Sequence, residues 1–499
     1  MASEEGSQTI SLKVHIDKEK NRVVMAEADG DFVDILLSFL TLPMGTIVRL
    51  INKQPQPATI GSLTTLYKEV ENLEKQQLLQ TQLCKSMLLH PRNPSENVCR
   101  KVKLNVDDSE PTKYYICANW KCSRRESGGL YTTFKNLKCK CGKMMDNDDI
   151  RMQIEDETAR LEGDGGVFVC RTNKFMVTDD LQVDPISTAT ILTLLRKLEL
   201  KDMSSLQETT LIIGPEEILK LLKGILFSKT PLTDVFLRKQ EFTAEGLKFE
   251  MGDPLQSSLS SEGGMTLKLM MSKSMNKVLY VEAGEDLVEF LLSFLTFPLG
   301  SILQLLGGNS SLGSMDNLYK SVQHSGVTRD DSLRNLLLQP MVCRGFTCRR
   351  NPLGVKESQQ PPPSLWCRSY ANGRMANPYT GYLTTKKPNL KSGDRLSLLD
   401  FVNPKSPTSE TAGQGGFLKG PATFIITDNL VFTPLASFWS LSFLKSMELP
   451  LDDLVFRMVK VGTVEALRLL KASLSSNSVF TDALVEFGLK ISKQESKTQ

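Results

Sequence analysis

Cys117, Cys122, Cys139 and Cys141 are the residues of this chain whose type and spacing point most directly to chemistry. They run as Cys-Ala-Asn-Trp-Lys-Cys, then sixteen residues, then Cys-Lys-Cys-Gly-Lys. Two close thiol pairs flanking a hairpin-like segment assemble a structural zinc site, because each pair supplies two thiolates and the metal joins distant parts of the chain. Four thiolates leave no open position for water or substrate, so the expected role is a staple and not a catalyst. Gly128 and Gly129 suit the intervening turn, and Gly142 would let the backbone pass close to the ion. Lys121, Lys138, Lys140 and Lys143 would offset the negative charge of such a centre. The gaps of four residues and one depart from the common two-residue gap, so reduced unligated thiols and a redox pair stand as alternatives.

Catalytic signatures are otherwise missing. No glycine loop ends in Gly-Lys-Ser/Thr and no Gly-x-Ser-x-Gly elbow occurs. His15, His90 and His324 are the only histidines and lie far apart, so histidine acid–base chemistry has few candidates. No catalytic residue is assigned, although carboxylate-only catalysis stays open. The other cysteines, Cys84, Cys99, Cys170, Cys343, Cys348 and Cys367, lack a paired partner and read as buried apolar residues.

The elements that must position the thiols are written twice. Leu12-Lys13, Asn21, Val23, Glu27-Ala28, Asp31 and Leu36 to Thr41, then Pro43 and Gly45, return as Leu267-Lys268, Asn276, Val278, Glu282-Ala283, Asp286, Leu291 to Thr296, Pro298 and Gly300. The reading is an α+β fold of two tandem homologous lobes, the first carrying a zinc-ribbon-like insertion. Each lobe opens with a β-hairpin, since Leu12, Val14 and Ile16 alternate with polar residues, as do Leu267, Leu269 and Met271. Asn21 and Asn276 end the turns, where a left-handed backbone suits asparagine. An apolar helix–break–helix element follows, with Phe32, Ile35, Leu36, Phe39 and Leu40 as one stripe and Asp31 or Asp286 as the expected N-cap, backed by Asp34 or Glu289. Late leucine-rich helices are expected after Gly214-Pro215 and Gly462-Thr463.

This places the first repeat at residues 8–250 with its cysteine module at 114–145, a Ser/Gly-rich linker at 251–264, and the second repeat at 265–492. There, Ser392-Gly393-Asp394 follows Asn389-Leu390-Lys391, where the first repeat has Cys139-Lys140-Cys141 after Asn136-Leu137-Lys138. The second repeat therefore lacks the paired thiols. Lys356 to Pro363 and Asn403 to Gly416 read as mobile loops. With 40% hydrophobic residues the chain can bury at least two full cores.

A net charge of +3 gives no bulk pull toward nucleic acid or an anionic membrane. Leu287 to Leu306 carries one charge, but Pro298 and Gly300 break it, which argues against a membrane span. The acidic, polar start carries no secretory pattern, so the expected setting is intracellular, cytoplasmic or nuclear.

The duplicated Glu27-Ala28, Leu36 to Thr41 and Cys139 to Lys143 motifs, with Glu110 to Tyr114 and Arg124 to Gly129, resemble a plant family known as domain of unknown function 674. The resemblance covers essentially the whole chain as two tandem copies and implies a plant origin. It supplies no activity, substrate or site residues. The favoured reading is a non-enzymatic protein-interaction or scaffold module with structural zinc in the first repeat. It expects no pocket in which perturbed carboxylates converge. Two alternatives remain: an enzyme of unknown type, and nucleic-acid binding through Arg124, Arg125, Lys135, Lys138, Lys140 and Lys143 with Trp120, Tyr131 and Phe134 as stacking surfaces.

Overall fold

A computed structural model describes residues 9–73, 78–117, 119, 122, 129–147, 151–152, 165–199, 203–240, 242, 264–324, 326–371, 379–387, 389, 395–406, 415–435, 437–446 and 448–485. It is a mixed α+β structure with three sheets. The first opens on the hairpin Ile10–Asp17 and Arg22–Ala28, whose turn places Asn21 at φ +46°. Its strand order is Leu206–Ile213, Ile10–Asp17, Arg22–Ala28, Phe175–Thr178, Val183–Pro185, antiparallel throughout. The second sheet has the matching order Leu454–Val461, Met265–Ser272, Lys277–Gly284, Thr423–Thr427, Phe432–Pro434, with Asn276 at φ +48°. Both hairpins carry a register shift at equivalent places, between His15 and Ile16 and between Met270 and Met271.

Each hairpin leads into a broken helix. Gly30–Ser38 continues through a tight turn at Phe39–Thr41, stops at Pro43 and resumes as Met44–Asn52. Glu285–Ser293, Phe294–Thr296 and Leu299–Leu305 repeat that course around Pro298. Proline removes an amide donor and restricts the residue before it, which accounts for both breaks. The N-caps differ from the sequence expectation. Asp29, not Asp31, accepts the Phe32 amide at 3.1 Å, and Gly284 occupies the equivalent place. Asp31 instead pairs with Arg171 at 3.0 Å and Lys103 at 3.4 Å, and Asp286 with Arg350 at 2.8 Å. The single apolar stripe is also too narrow a reading. All nine residues of Gly30–Ser38 are buried, because the face carrying Asp34 is covered by Val167, Phe168 and Val169.

The two broken helices meet at their prolines. The Met44 amide donates to Phe297 O at 3.0 Å and the Leu299 amide to Leu42 O at 2.9 Å, a small bridge between Pro43 and Pro298. The late helices Pro215–Phe227 and Thr463–Ser475 begin where the glycines predict, each closed by a glutamate, Glu217 or Glu465, accepting the glycine amide. Each caps a loop of the other half. Ser62 donates to Ser476 O through its amide and hydroxyl, and Ser314 donates to Ile225 O and Ser228 O. The buried apolar side chains of both halves consequently form one continuous core from Ile10 to Leu484, where the composition had suggested two.

Gly61 and Gly313 make that seam possible, with φ of +43° and +47°. A Cβ on Gly61 would stand 2.6 Å from Ser473 O, and one on Gly313 2.3 Å from Ile225 O. Gly61→Ala is expected to cost roughly 2–4 kcal/mol, from left-handed strain plus overpacking. Urea unfolding measures it, and an unchanged midpoint would mean the seam is not packed this closely.

The third sheet joins the halves. Its order is Leu137–Lys138, Met144–Asn147, Tyr115–Cys117, Gly129–Thr132, Arg395–Phe401, Ser364–Ala371, Tyr379–Thr384, Arg151–Met152. The junctions Gly129–Thr132 with Arg395–Phe401, and Tyr379–Thr384 with Arg151–Met152, are parallel. Lys356 to Pro363 is not the free loop its prolines suggested. Ser358, Pro361 and Pro362 are buried and Tyr131 donates its hydroxyl to Pro362 O. In the second expected loop, Asn403 to Ser406 is packed, and residues 407–414 lie outside the described set.

Candidate metal centre

The cysteine module is a small antiparallel arrangement at one end of the third sheet. Cys117 ends the strand Tyr115–Cys117, and Cys139 and Cys141 lie on the turn between Leu137–Lys138 and Met144–Asn147. That turn is a knuckle. The Gly142 amide donates to Cys139 O and the Cys139 amide to Lys143 O, both at 2.8 Å. Gly142 sits at φ +83°, a left-handed conformation that favours glycine, and a Cβ there would meet open space. Gly129 begins a strand and does not turn the chain, while Gly128 lies outside the described residues.

All four sequence-predicted thiols come together, each Sγ within 4.8 Å of the others. Cys117 Sγ and Cys141 Sγ are 3.5 Å apart, near the ~3.8 Å edge of a tetrahedron with ~2.3 Å metal–sulfur bonds. The Asn119 amide donates to Cys117 Sγ at 3.4 Å, the outer-shell contact that steadies a thiolate ligand. Cys117 and Cys139 are buried, Cys122 half-buried and Cys141 exposed. The four could hold a metal ion.

Their electrostatics are those of crowded thiols. Hydrogen bonding from the Lys143 amide, then from the Cys122 and Cys117 thiols, pulls Cys141 down to about 7. Burial, with the Cys141 contact added, pushes Cys122 up to about 11, and burial also raises Cys117. Lys135, Lys138, Lys140 and Lys143 are exposed. Lys121, Trp120, Arg124 and Arg125 lie outside the described residues, as do residues 390–394, where the second half diverges.

The module is docked, not pendant. Cys117, Leu137, Cys139 and Met145 pack with Val402 of the second half, whose amide donates to Tyr131 O at 2.9 Å. This docking corrects the stacking surfaces expected of Tyr131 and Phe134. Tyr131 is fully buried, and Phe134 is covered by the Arg92 guanidinium 4.5 Å from its ring centre. Of the other cysteines, Cys84, Cys99, Cys343, Cys348 and Cys367 are buried as expected and Cys170 is half-buried. Burial raises the thiols of Cys84, Cys99, Cys343 and Cys348.

Sequence reasoning missed two kinds of residue. One is the set of buried carboxylates. Asp34 accepts amides of Val167, Phe168 and Val169 at 2.7–3.0 Å, and Glu289 accepts Leu418 at 3.1 Å. Asp179 and Asp428 each accept both the amide and the hydroxyl of a threonine, Thr233 and Thr481. Burial raises all four, Asp34 to about 6, and none of them lines the cavity of about 640 Å³ described below. The other is Lys405, 2% exposed, whose ammonium donates to Thr347 O and lies 4.4 Å from the Phe417 ring centre. Burial lowers its pKa. A lysine inside a Pro/Ser-rich stretch carries no sequence signal of burial.

No helix among the described residues is long and apolar enough to cross a membrane. Residues 6–464 match the model of a family described as "Protein of unknown function (DUF674)". No curated protein and no solved structure matches the chain.

Proposed function

We propose that this chain, which belongs to the DUF674 family, is a doubled α+β module that serves as a protein-binding scaffold, with a structural zinc ion clamping its first half. The convergence of Cys117, Cys122, Cys139 and Cys141 carries the reading. An all-thiolate, four-ligand set suits zinc and leaves no position for a reacting water. Doubling is supported by the matched strand orders, the equivalent register shifts and the reciprocal serine contacts of the seam. The plant origin rests on motif resemblance alone. An intracellular setting is one in which the ten cysteines would stay thiols or metal ligands.

The scaffold role is supported by where apolar side chains reach solvent. Leu206–Ile213 and Leu454–Val461 are the outer strands of their sheets, and they expose Ile212 at 65%, Phe456 at 47% and Met458 at 62%. An unpaired edge with apolar side chains suits a partner that adds a strand. Nucleic-acid binding retains the exposed lysines but loses Tyr131 and Phe134 as stacking platforms.

Elemental analysis of protein purified without added metal tests the clamp. About one zinc per chain is expected. A value near zero refutes it, and a value near two contradicts the single-site account. For the scaffold role, proteins retained by the wild type should be lost from a Phe456→Lys/Met458→Lys variant of unchanged thermal midpoint. Equal retention would remove this surface from the proposal.

A further inference from the structure

The seam between the cysteine module and the second half encloses a cavity of about 640 Å³, within the range of small-molecule sites. Four cationic side chains line it: Lys140, Arg344, Arg349 and Lys405. None of the four forms an ion pair within 4.0 Å among the described residues. Arg344 donates only to neutral oxygens, Pro361 O and Gln359 Oε1, both at 2.9 Å. Lys405 donates to the Thr347 carbonyl.

Two carboxylates share the lining, Glu357 and Asp400. Glu357 Oε1 already accepts the Gly345 amide at 3.1 Å, the Thr347 amide at 3.3 Å and the Thr347 hydroxyl at 2.5 Å. Its work is to shape the loop that carries the cations. The lining residues carry an excess of two positive charges, partly offset by the buried Glu289 that Arg349 and Lys405 also feel, and a partly enclosed wall of low dielectric concentrates the remainder.

A second observation narrows the ligand. Asn351 lines the same cavity, and its Oδ1 is buried with no donor among the described residues, while its Nδ2 donates to Val355 O at 2.8 Å. A buried acceptor of this kind is ordinarily satisfied by something. We propose that this cavity binds a small hydroxylated phosphate ester, with the phosphate held by Arg344, Arg349 and Lys140, the buried Lys405 ammonium adding positive field from behind the wall, and a ligand hydroxyl donating to Asn351 Oδ1. Arginine forks match phosphate oxygens in pairs, and an exposed lysine such as Lys140 adds point charge.

The site does not depend on the zinc reading, since Arg344, Arg349, Lys405 and Asn351 all belong to the second half. Lys140 alone sits on the knuckle, between Cys139 and Cys141.

Calorimetric titration of the full chain with ribose 5-phosphate, glycerol 3-phosphate, inorganic phosphate and ribose tests it. At least one ester should bind, inorganic phosphate at least tenfold more weakly, and ribose not at all. Arg349→Gln with Arg344→Gln should weaken the ester tenfold or more, and Asn351→Leu should bring ester and inorganic phosphate to equal affinity. A thermal scan of each variant separates lost binding from lost folding, and Lys140→Gln, on an exposed residue, gives a variant that keeps its fold and should still weaken the ester. Absence of binding by both esters overturns the proposal, as does ester affinity unchanged in the folded arginine or Lys140 variants. Equal affinity of the wild type for ester and inorganic phosphate overturns the role of Asn351.

Discussion

Cys139→Ser is expected to take bound metal from about one ion per chain to near zero while most of the fold stays standing. Serine puts a poorly ionising hydroxyl where a thiolate must be, and three sulfurs no longer close the tetrahedron. In a small zinc finger the metal supplies most of the folding free energy, on the order of 10–16 kcal/mol. This chain differs because Cys117 and Cys139 belong to a minor cluster, apart from the continuous core that runs through both halves. The loss should therefore be local. Limited proteolysis is expected to open the segment around residues 115–147, with global unfolding in urea shifted by no more than about 1–2 kcal/mol. Metal retained at wild-type level, or loss of the whole cooperative transition, would each contradict a local staple.

Asp34→Ala should act on the opposite scale. The carboxylate is 2% exposed, and it receives the amides of Val167, Phe168 and Val169, pinning that segment over the first helix. Alanine leaves three buried donors without an acceptor, each worth about 1–3 kcal/mol. Against this, burial already raises the carboxyl from 3.8 to about 6, with the three amides opposing it, so the ionised form is held at a cost. The folded state takes up a proton more readily than the unfolded chain. The resulting stabilisation is complete below the ordinary value near 4 and disappears as pH rises through 6, roughly 3 kcal/mol over that window. The variant should accordingly be about 3 kcal/mol less stable than wild type at pH 7, with the gap widening toward pH 4. Denaturant midpoints at both pH values decide it. A gap that narrows on acidification would show that Asp34 is not the group being titrated.

Much of the local structure could be read from residue order, and the reason is that its determinants are local. Alternation at Leu12, Val14 and Ile16, a left-handed asparagine at 21 and 276, and proline at 43 and 298 each act within a few residues, and all appear where expected. The four thiols also converged, because a strand end and a tight knuckle bring them together without long-range help. What stayed hidden depends on partners far along the chain. Asp34 looked like part of a capping box, since nothing near it in sequence discloses Val167. Helix Gly30–Ser38 showed one apolar stripe yet is buried all round, because periodicity reports only the face a helix presents to its own sheet. The parallel junction between Gly129–Thr132 and Arg395–Phe401 has no local signature at all, and the cavity beside it inherits that silence.

The reciprocal serine contacts bear on how the chain acquires its shape during synthesis. Ser62 finds its acceptor in Ser476, 414 residues later, so this part of the seam cannot close before that residue has been synthesised. A nascent chain of this topology must wait with apolar surface uncovered, the circumstance in which large proteins form kinetic traps and draw on chaperones. Completion of the seam is then timed by synthesis of the helix Thr463–Ser475 and of Ser476 beyond it rather than by the collapse of Gly30–Ser38.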